Sequence, residues 1–418
     1  MATYGKILLI AMPIFLLLVL FEKWWGWKNG NDTVRTMDMI SSLTSGITNV
    51  TKDVLGLTLI IYSYGWMVDH WALTHIGTSI WNYIIAFIVL DFAGYWIHRM
   101  AHEINVFWNN HIIHHSSEEY NLACALRQSI AVFVRLFTIL LLPAALLGVP
   151  QEVIAIVAPL HLFIQFWYHT QHIRKMGFLE NIIVTPSHHR VHHAINPEYI
   201  DKNYSEVFII WDKLFGTFQP ELDHVTAVYG VTRPVSTWNP IKINFTHLKL
   251  LCTDAWYTKS WKDKLRIWFM PTGWRPVDRE QLAPIQKIDD VYHFEKYHTT
   301  ETTMLKVWTW FQMVFLLLLV SWLFGNVAAI GQPDIYFYGL FIFLFVYALT
   351  ELMDGNPLAY GWEMAKSLLG LYFIGKMGNW FGFIHFSDYV NVLLLMYFIA
   401  SPLISFYLLK KYKSVELI

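Results

Sequence analysis

The stretch Leu90-Asp91-Phe92-Ala93-Gly94-Tyr95-Trp96-Ile97-His98-Arg99-Met100-Ala101-His102-Glu103 closes an apolar run that begins at residue 77. An α-helix needs about 20 apolar residues to cross the hydrocarbon core of a bilayer, and this run supplies them. It ends in His98-x3-His102. Residues four apart on a helix share a face, so both imidazoles emerge from the apolar layer pointing the same way.

Two further clusters follow, His111-x2-His114-His115 and His188-His189-x2-His192-His193, and together the three hold nine of the nineteen histidines. His169, four residues after Gln165 at the end of another apolar run, is a tenth candidate. Neutral imidazole suits iron, zinc, copper and nickel, whereas magnesium and calcium want oxygen ligands. Spacing and donor type therefore predict a transition-metal centre for two ions, held by His98, His102, His111, His114, His115, His169, His188, His189, His192 and His193. Of the nine others, His172 lies three residues beyond His169, and eight read as ordinary ones: His161 at a helix interface, and His70, His75, His224, His247, His293, His298 and His385 without a metal role.

The rest of the chain sets this centre in a membrane. Of 418 residues, 55% are hydrophobic and only 15% charged, well beyond the balance of a soluble domain. Apolar runs occupy 7–21, 54–70, 77–97, 129–148, 151–169, 304–324, 334–352 and 390–409, with 364–386 a weaker ninth that Lys366 and Lys376 interrupt. The first lacks a small-residue cleavage site and reads as an anchor rather than a signal peptide. A net charge of −1 and the absence of a basic patch exclude nucleic acid as a partner, and the 20 tryptophans fit membrane interfaces. Cys124 and Cys252 have no partner spacing and receive no role.

Lysine and arginine collect on the cytoplasmic side of a membrane. Lys23, Lys28, Arg35 and Lys52 separate the first two runs, whereas the short connections near 73–76, 149–150 and 326–333 carry none. With the N-terminus outside, all three clusters emerge on the cytoplasmic face, provided that 129–169 forms a hairpin, either as two spans or as a re-entrant pair of half-helices. The basic tail Lys410-Lys411-Tyr412-Lys413 reaches the same face only if the ninth segment also crosses. The expected fold is an all-α polytopic membrane bundle with a cytoplasmic, histidine-rich di-metal cap. Residues 1–303 would form the metal-bearing domain, with the cap at about 171–303, and 304–418 a set of C-terminal membrane helices.

Two divalent ions on neutral ligands leave a positive field that acids must answer. Glu103 follows the first cluster, Glu118 and Glu119 the second, and Asp201, Glu206 and Asp212 the third; Glu103 and Glu119 are the ones expected to be functional. Asp91, two turns before His98 within a membrane-length helix, is expected to face a functional interior and to hydrogen-bond a ligand imidazole.

The three clusters, in order, resemble the fatty acid hydroxylase superfamily, whose pattern is H-x3-4-H, H-x2-3-H-H and (H/Q)-x2-3-H-H. Longer stretches resemble its glyceryl-ether monooxygenase branch: His114-His115-Ser116-Ser117-Glu118-Glu119-Tyr120-Asn121, Thr185-Pro186-Ser187-His188-His189, Asp201-Lys202-Asn203-Tyr204 and Ile210-Trp211-Asp212-Lys213. The likeness covers about 90–250 specifically and departs at Ala194, where relatives carry glycine. The resemblance implies two iron ions, O2, tetrahydrobiopterin as reductant, and a lipid substrate hydroxylated at its ether carbon to give a fatty aldehyde and a glycerol derivative. It implies a site in the endoplasmic reticulum of a eukaryote or the inner membrane of a bacterium. No haem domain, G-x-G-x-x-G motif or iron–sulfur cysteine set is present, so a diffusible reductant or separate donor is required. Alternatives are a di-iron hydroxylase or desaturase of a fatty acid, sterol or carotenoid, and a metal-binding protein without turnover.

Overall fold

The computed structural model describes residues 2–57, 59–60, 63–74, 77, 79–131, 134–135, 137–383 and 387–416. His75 and His385 lie outside them. The N-terminal half comprises α1 (Ala2–Lys28), α2 (Thr36–Val54), a two-residue strand β1 (Leu59–Ile60), α3 (Tyr64–Trp71), α4 (Ile80–Glu103), α5 (Asn105–Trp108), α6 (Ile112–His115), β2 (Val134–Arg135), which pairs with β1, α7 (Leu142–Leu146) and α8 (Gln151–Ile164). Then come α9 (Pro186–His193), α10 (Ile210–Phe215), α11 (Pro240–Tyr257), α12 (Trp261–Arg266), α13 (Val277–Leu282), α14 (Thr303–Ile330), α15 (Asp334–Met353), α16 (Ala359–Met377) and α17 (Ser387–Glu416). Five of these helices are long and apolar enough to cross a membrane: α1, α4, α14, α15 and α17.

Three expected spans are built differently. Residues 54–70 form no single helix; the chain is carried instead by α2, whose serines and threonines are almost all buried. One end of α2 is tied near the histidines, where Asn121 donates to the Thr33 carbonyl at 2.8 Å and Arg127 to Asp38 at 2.7 Å. The other end packs Leu55 against Gly339, near the start of α15. A helix wrapped by protein meets no lipid and needs no apolar surface, which is why hydropathy passes over it. The described residues within 129–148 include a two-residue strand, a 3-10 turn and α7, and α8 stops at Ile164 rather than at residue 169. The pair still makes the hairpin: Ser129 bonds Asn244 of α11, the Leu146 carbonyl takes the N–H of Leu73 at the opposite end, and α8 returns.

In the C-terminal half α15, α16 and α17 pack in sequence, α1 lies along α14, and α2 along α15. The ninth segment does traverse the bundle as α16, although it is too polar to count among the five. Its Lys366 and Glu363 are both 0% exposed. The three N–H donors of the Lys366 ammonium have four acceptors within reach, Glu363 Oε2 (2.8 Å), Gln312 Oε1 (2.7 Å), Tyr397 OH (2.9 Å) and Ser401 Oγ (3.1 Å). Burial of an unpaired charge is prohibitive, so the acceptors gathered around the ammonium are what admit the lysine to the bundle. Leu408 and Leu409 of α17 meet Thr302 and Leu352, so its basic end returns to the side where α14 begins and α15 ends.

Candidate metal centre

The end of α4 places His98 and His102 one turn apart. After α5 the chain turns at His111 and enters α6, which carries His114 and His115. α9 starts with Pro186 in its first turn, a position that needs no N–H donor, and is capped by Thr185. His169 follows α8 in a turn. These elements converge into two buried groups, His98, His102, His111, His115 and His192 in one and His114, His169, His189 and His193 in the other, with the ligand atoms of each group within 4.8 Å of one another. The groups abut: the rings of His115 and His193 stack with centroids 4.3 Å apart.

In both groups the Nε2 atoms point inward and Nδ1 atoms outward. Nδ1 of His98 lies 2.8 Å from the Tyr204 carbonyl, that of His192 3.0 Å from Lys202, that of His169 3.0 Å from Gln165 and that of His114 3.3 Å from Arg127. A carbonyl can only accept, so each of these Nδ1 atoms carries the proton and each Nε2 is a bare lone pair. His114 and His169 nonetheless bring Nε2 to Nε2 at 3.4 Å, and His192 Nε2 is buried with no hydrogen-bond partner among the described residues. Two lone pairs at that distance repel unless a cation lies between them. Protonation is not the answer, because burial and neighbouring imidazoles push His114 down to about 3 and His169, His189 and His193 well below the usual histidine range. The donor set fits transition-metal ions.

The loop after α9 aims the carbonyls. Asp201 and Asn203 have φ of 58° and 56°, a left-handed conformation that Asp and Asn tolerate better than most residues, and between and after them the Lys202 and Tyr204 carbonyls turn toward His192 and His98. Asp212, fully buried, holds the loop from behind by accepting Tyr204 N and Ser205 N, each at 2.8 Å, and Thr217 Oγ1 at 2.7 Å. Asp201 itself lies 3.8 Å from His102 Nδ1. The clue in the sequence was Asp201-Lys202-Asn203, two residues suited to positive φ beside the third cluster.

Nine of the ten histidines expected as ligands are thus brought together, and His188 is not. It is the third residue of α9, and its Nδ1 reaches back to Thr185 N at 3.4 Å, as a Glu does in a capping box. Its ring rests on Phe218, and desolvation lowers it to about 4. Neither acid expected to be functional faces an imidazole: Glu103 pairs with Arg99 at 2.9 Å, and Glu119 with Lys296 at 2.8 Å and Arg35 at 3.5 Å. Asp91 bonds His161, at 2.9 Å, rather than a histidine of either group. Of the other histidines, His247 bonds the Asn105 carbonyl and His293 pairs with Asp290.

Residues 83–217, which span every histidine of both groups, match the fatty acid hydroxylase family. The chain is 37% identical to alkylglycerol monooxygenase of Homo sapiens over 366 residues, 86% of this chain and 81% of that protein. It is 33% identical to alkylglycerol monooxygenase of Danio rerio (86% and 80% covered) and 34% identical to that of Xenopus tropicalis (83% and 77%). No solved structure matches the chain. With such identity over most of both lengths, and with the family's three histidine boxes folded into two converging groups, the chain belongs to the alkylglycerol monooxygenase family of the fatty acid hydroxylases.

Proposed function

We propose that the chain is a di-iron membrane monooxygenase that hydroxylates the ether-bearing carbon of an alkylglycerol, using O2 and tetrahydrobiopterin. The observation that carries this reading is the pair of all-histidine groups in a chain 37% identical to a named alkylglycerol monooxygenase. The ligands would be His98, His102, His111, His115 and His192 for one iron and His114, His169, His189 and His193 for the other. The bound irons would supply the redox chemistry with O2 that side-chain acids and bases cannot.

The chain's own part is to fix nine imidazoles through backbone carbonyls, to keep water from the buried centre and to hold the lipid. One oxygen atom enters the C–H bond beside the ether oxygen, and the other is reduced to water with two electrons and two protons from the reductant. The resulting hemiacetal collapses to a fatty aldehyde and a glycerol derivative. Beside the second box Arg35, Glu118, Glu119, Thr237 and Trp238 line a small recess, at whose mouth we place the reductant, with Glu119 as the carboxylate that would meet its N–H donors. That recess gives Glu119 its role; Glu103, next to His102, offers negative charge beside the first group.

We place the histidine side in the cytoplasm, because Lys23, Lys28, Arg35, Lys410 and Lys411 all belong to the ends of elements on that side, although Lys52, counted with them from the sequence, sits at the far end of α2. Residues 1–303 then act as the catalytic unit, capped by about 171–303, with 304–418 as its membrane buttress. The test is to purify the protein in detergent, measure iron per chain, and assay aldehyde release from a 1-alkylglycerol with and without tetrahydrobiopterin. Two irons and pterin-dependent aldehyde are expected. Two irons without aldehyde would shift the reading to a hydroxylase of another lipid with a separate electron donor.

A further inference from the structure

A third buried polar group lies just outside the histidine centre. Asp91 on α4 accepts four donors: Val207 N at 2.9 Å, Phe208 N at 3.0 Å, Trp211 Nε1 at 2.8 Å and His161 Nε2 at 2.9 Å. His161 therefore spends its proton on Asp91 and presents Nδ1 as a lone pair. The Gln165 amide answers it, with Nε2 at 3.1 Å from His161 Nδ1 and at 3.2 Å from Glu206 Oε2. Asp91, His161 and Glu206 are close enough to suggest a cation site. The bonding argues against one, since both Asp91 oxygens already take two donors each and too few free ligand atoms remain.

Once these bonds are made, two acceptors remain, Gln165 Oε1 and Glu206 Oε1, and among the described residues no donor reaches either. The Glu206 side chain keeps 23% of its exposure. Its carboxylate lies directly over the α4 backbone at Gly94, where a Cβ would stand 2.0 Å from Oε2. The pair also hangs on the segments that serve the histidines: the Gln165 carbonyl takes His169 Nδ1, and Glu206 is two residues beyond Tyr204, whose carbonyl takes His98 Nδ1. Toward the membrane the flanking faces of α4 and α8 are apolar and uncovered, with Ile84, Ile88, Leu160 and Ile164 exposed.

We propose that Gln165 and Glu206 receive the two hydroxyls of a lipid's 1,2-diol head, with the Asp91–His161 pair holding them in register. The inference rests on the alkylglycerol reading for the identity of that lipid. Two neighbouring acceptors fed by no protein donor complement two vicinal hydroxyl donors, while a head without donors would strip water from both oxygens and give nothing back. Gln165 and Glu206 are positioning residues here, and Gly94 provides their room.

The test is equilibrium binding of radiolabelled 1-O-hexadecylglycerol and of its 2,3-di-O-methyl derivative to the iron-loaded protein under argon and without reductant, in lipid nanodiscs, with wild type, Glu206→Gln and Gly94→Ala. Wild type should prefer the diol by about ten- to a hundredfold, the worth of one or two bonds to such acceptors. Both variants should lose most of that preference while the methylated lipid binds all proteins alike, which also shows that the variants are folded. Absence of a preference in wild type, or its survival in both variants, overturns the proposal. Aldehyde assays on the wild-type protein separate the two readings. A diol preference that the variants lose, without aldehyde release, keeps this site and removes the ether-cleaving reaction; aldehyde release with unaltered preference in the variants does the reverse.

Discussion

Replacing Asp212 with asparagine should damage the metal centre without touching a ligand. The carboxylate is fully buried and takes three donors at 2.7–2.8 Å: Tyr204 N and Thr217 Oγ1 on one oxygen, Ser205 N on the other. An asparagine oxygen can keep the first two, but its NH2 must then face the Ser205 N–H, donor against donor. One buried donor left unpaired costs ~1–3 kcal/mol, and the two surviving bonds each lose the charge-assisted part of their strength, ~1 kcal/mol. The sum, about 3–5 kcal/mol, is a large fraction of a typical folding free energy of ~5–15 kcal/mol. Asp212→Ala frees all three donors and should cost more. The functional effect is narrower: when residues 204–205 lose their brace, the Tyr204 carbonyl stops orienting His98, and loss of such a brace typically lowers metal affinity ~10- to 100-fold. Iron per chain measured at graded free iron, together with the unfolding midpoint in detergent, reads both quantities. An Asp212→Asn protein with unchanged midpoint and unchanged iron affinity would refute the bracing argument.

Three other outcomes are expected. His192→Ala should empty the group built on α4 and His193→Ala the group containing His169, so each variant should retain about one ion by elemental analysis; loss of both or neither would contradict the partition. The metal-free protein should weaken as pH falls, because His114 sits near 3 and His169, His189 and His193 well below the usual value, so below about 6.5 the unfolded chain binds more protons than the folded one. That stability is fully present above about pH 6.5 and declines by up to ~1.4 kcal/mol per pH unit for each imidazole, a slope that melts between pH 8 and 5 would show and that bound metal should not remove, because unfolding still frees the same imidazoles to take up protons. Lys366→Met alone leaves Glu363 buried without its partner and should cost ~3–5 kcal/mol, whereas adding Glu363→Met should restore most of it; equal midpoints for the single and double variants would argue against a strained buried charge.

The histidine boxes were legible because their spacing is a local property of a helix, and α4 delivers its pair just as the four-residue interval requires. Their sorting into two groups was not legible. His114 and His115 are neighbours, yet successive residues on a helix diverge by about 100°, so they fall in different groups, and only the packing of α6 against α9 reveals which. His188 fits the box pattern but sits at the third position of α9, where a side chain is drawn back to the cap. The supports of the site were invisible for another reason: Lys202, Tyr204, Gln165 and Arg127 act through backbone carbonyls, which every residue has. Among the membrane segments, α1, α4, α14, α15 and α17 were legible as apolar runs. α2 was missed because proteins, not lipids, surround it, so its serines and threonines escape the rule on which hydropathy depends.

Neither short histidine helix belongs to one group. α6 sends His115 to one and His114 to the other, and α9 sends His192 to one and His189 and His193 to the other. The long apolar helix α4 contributes only to the first group, and the turn after α8 only to the second. The arrangement works like a double stitch in which the same two short threads pass through both seams. Both seams run through the same two threads, so occupation of one group helps to hold the helices that the other uses. Assembly of the complete centre is thereby made conditional on the joint arrival of the membrane helix, the α8 hairpin and the polar segment that carries α9.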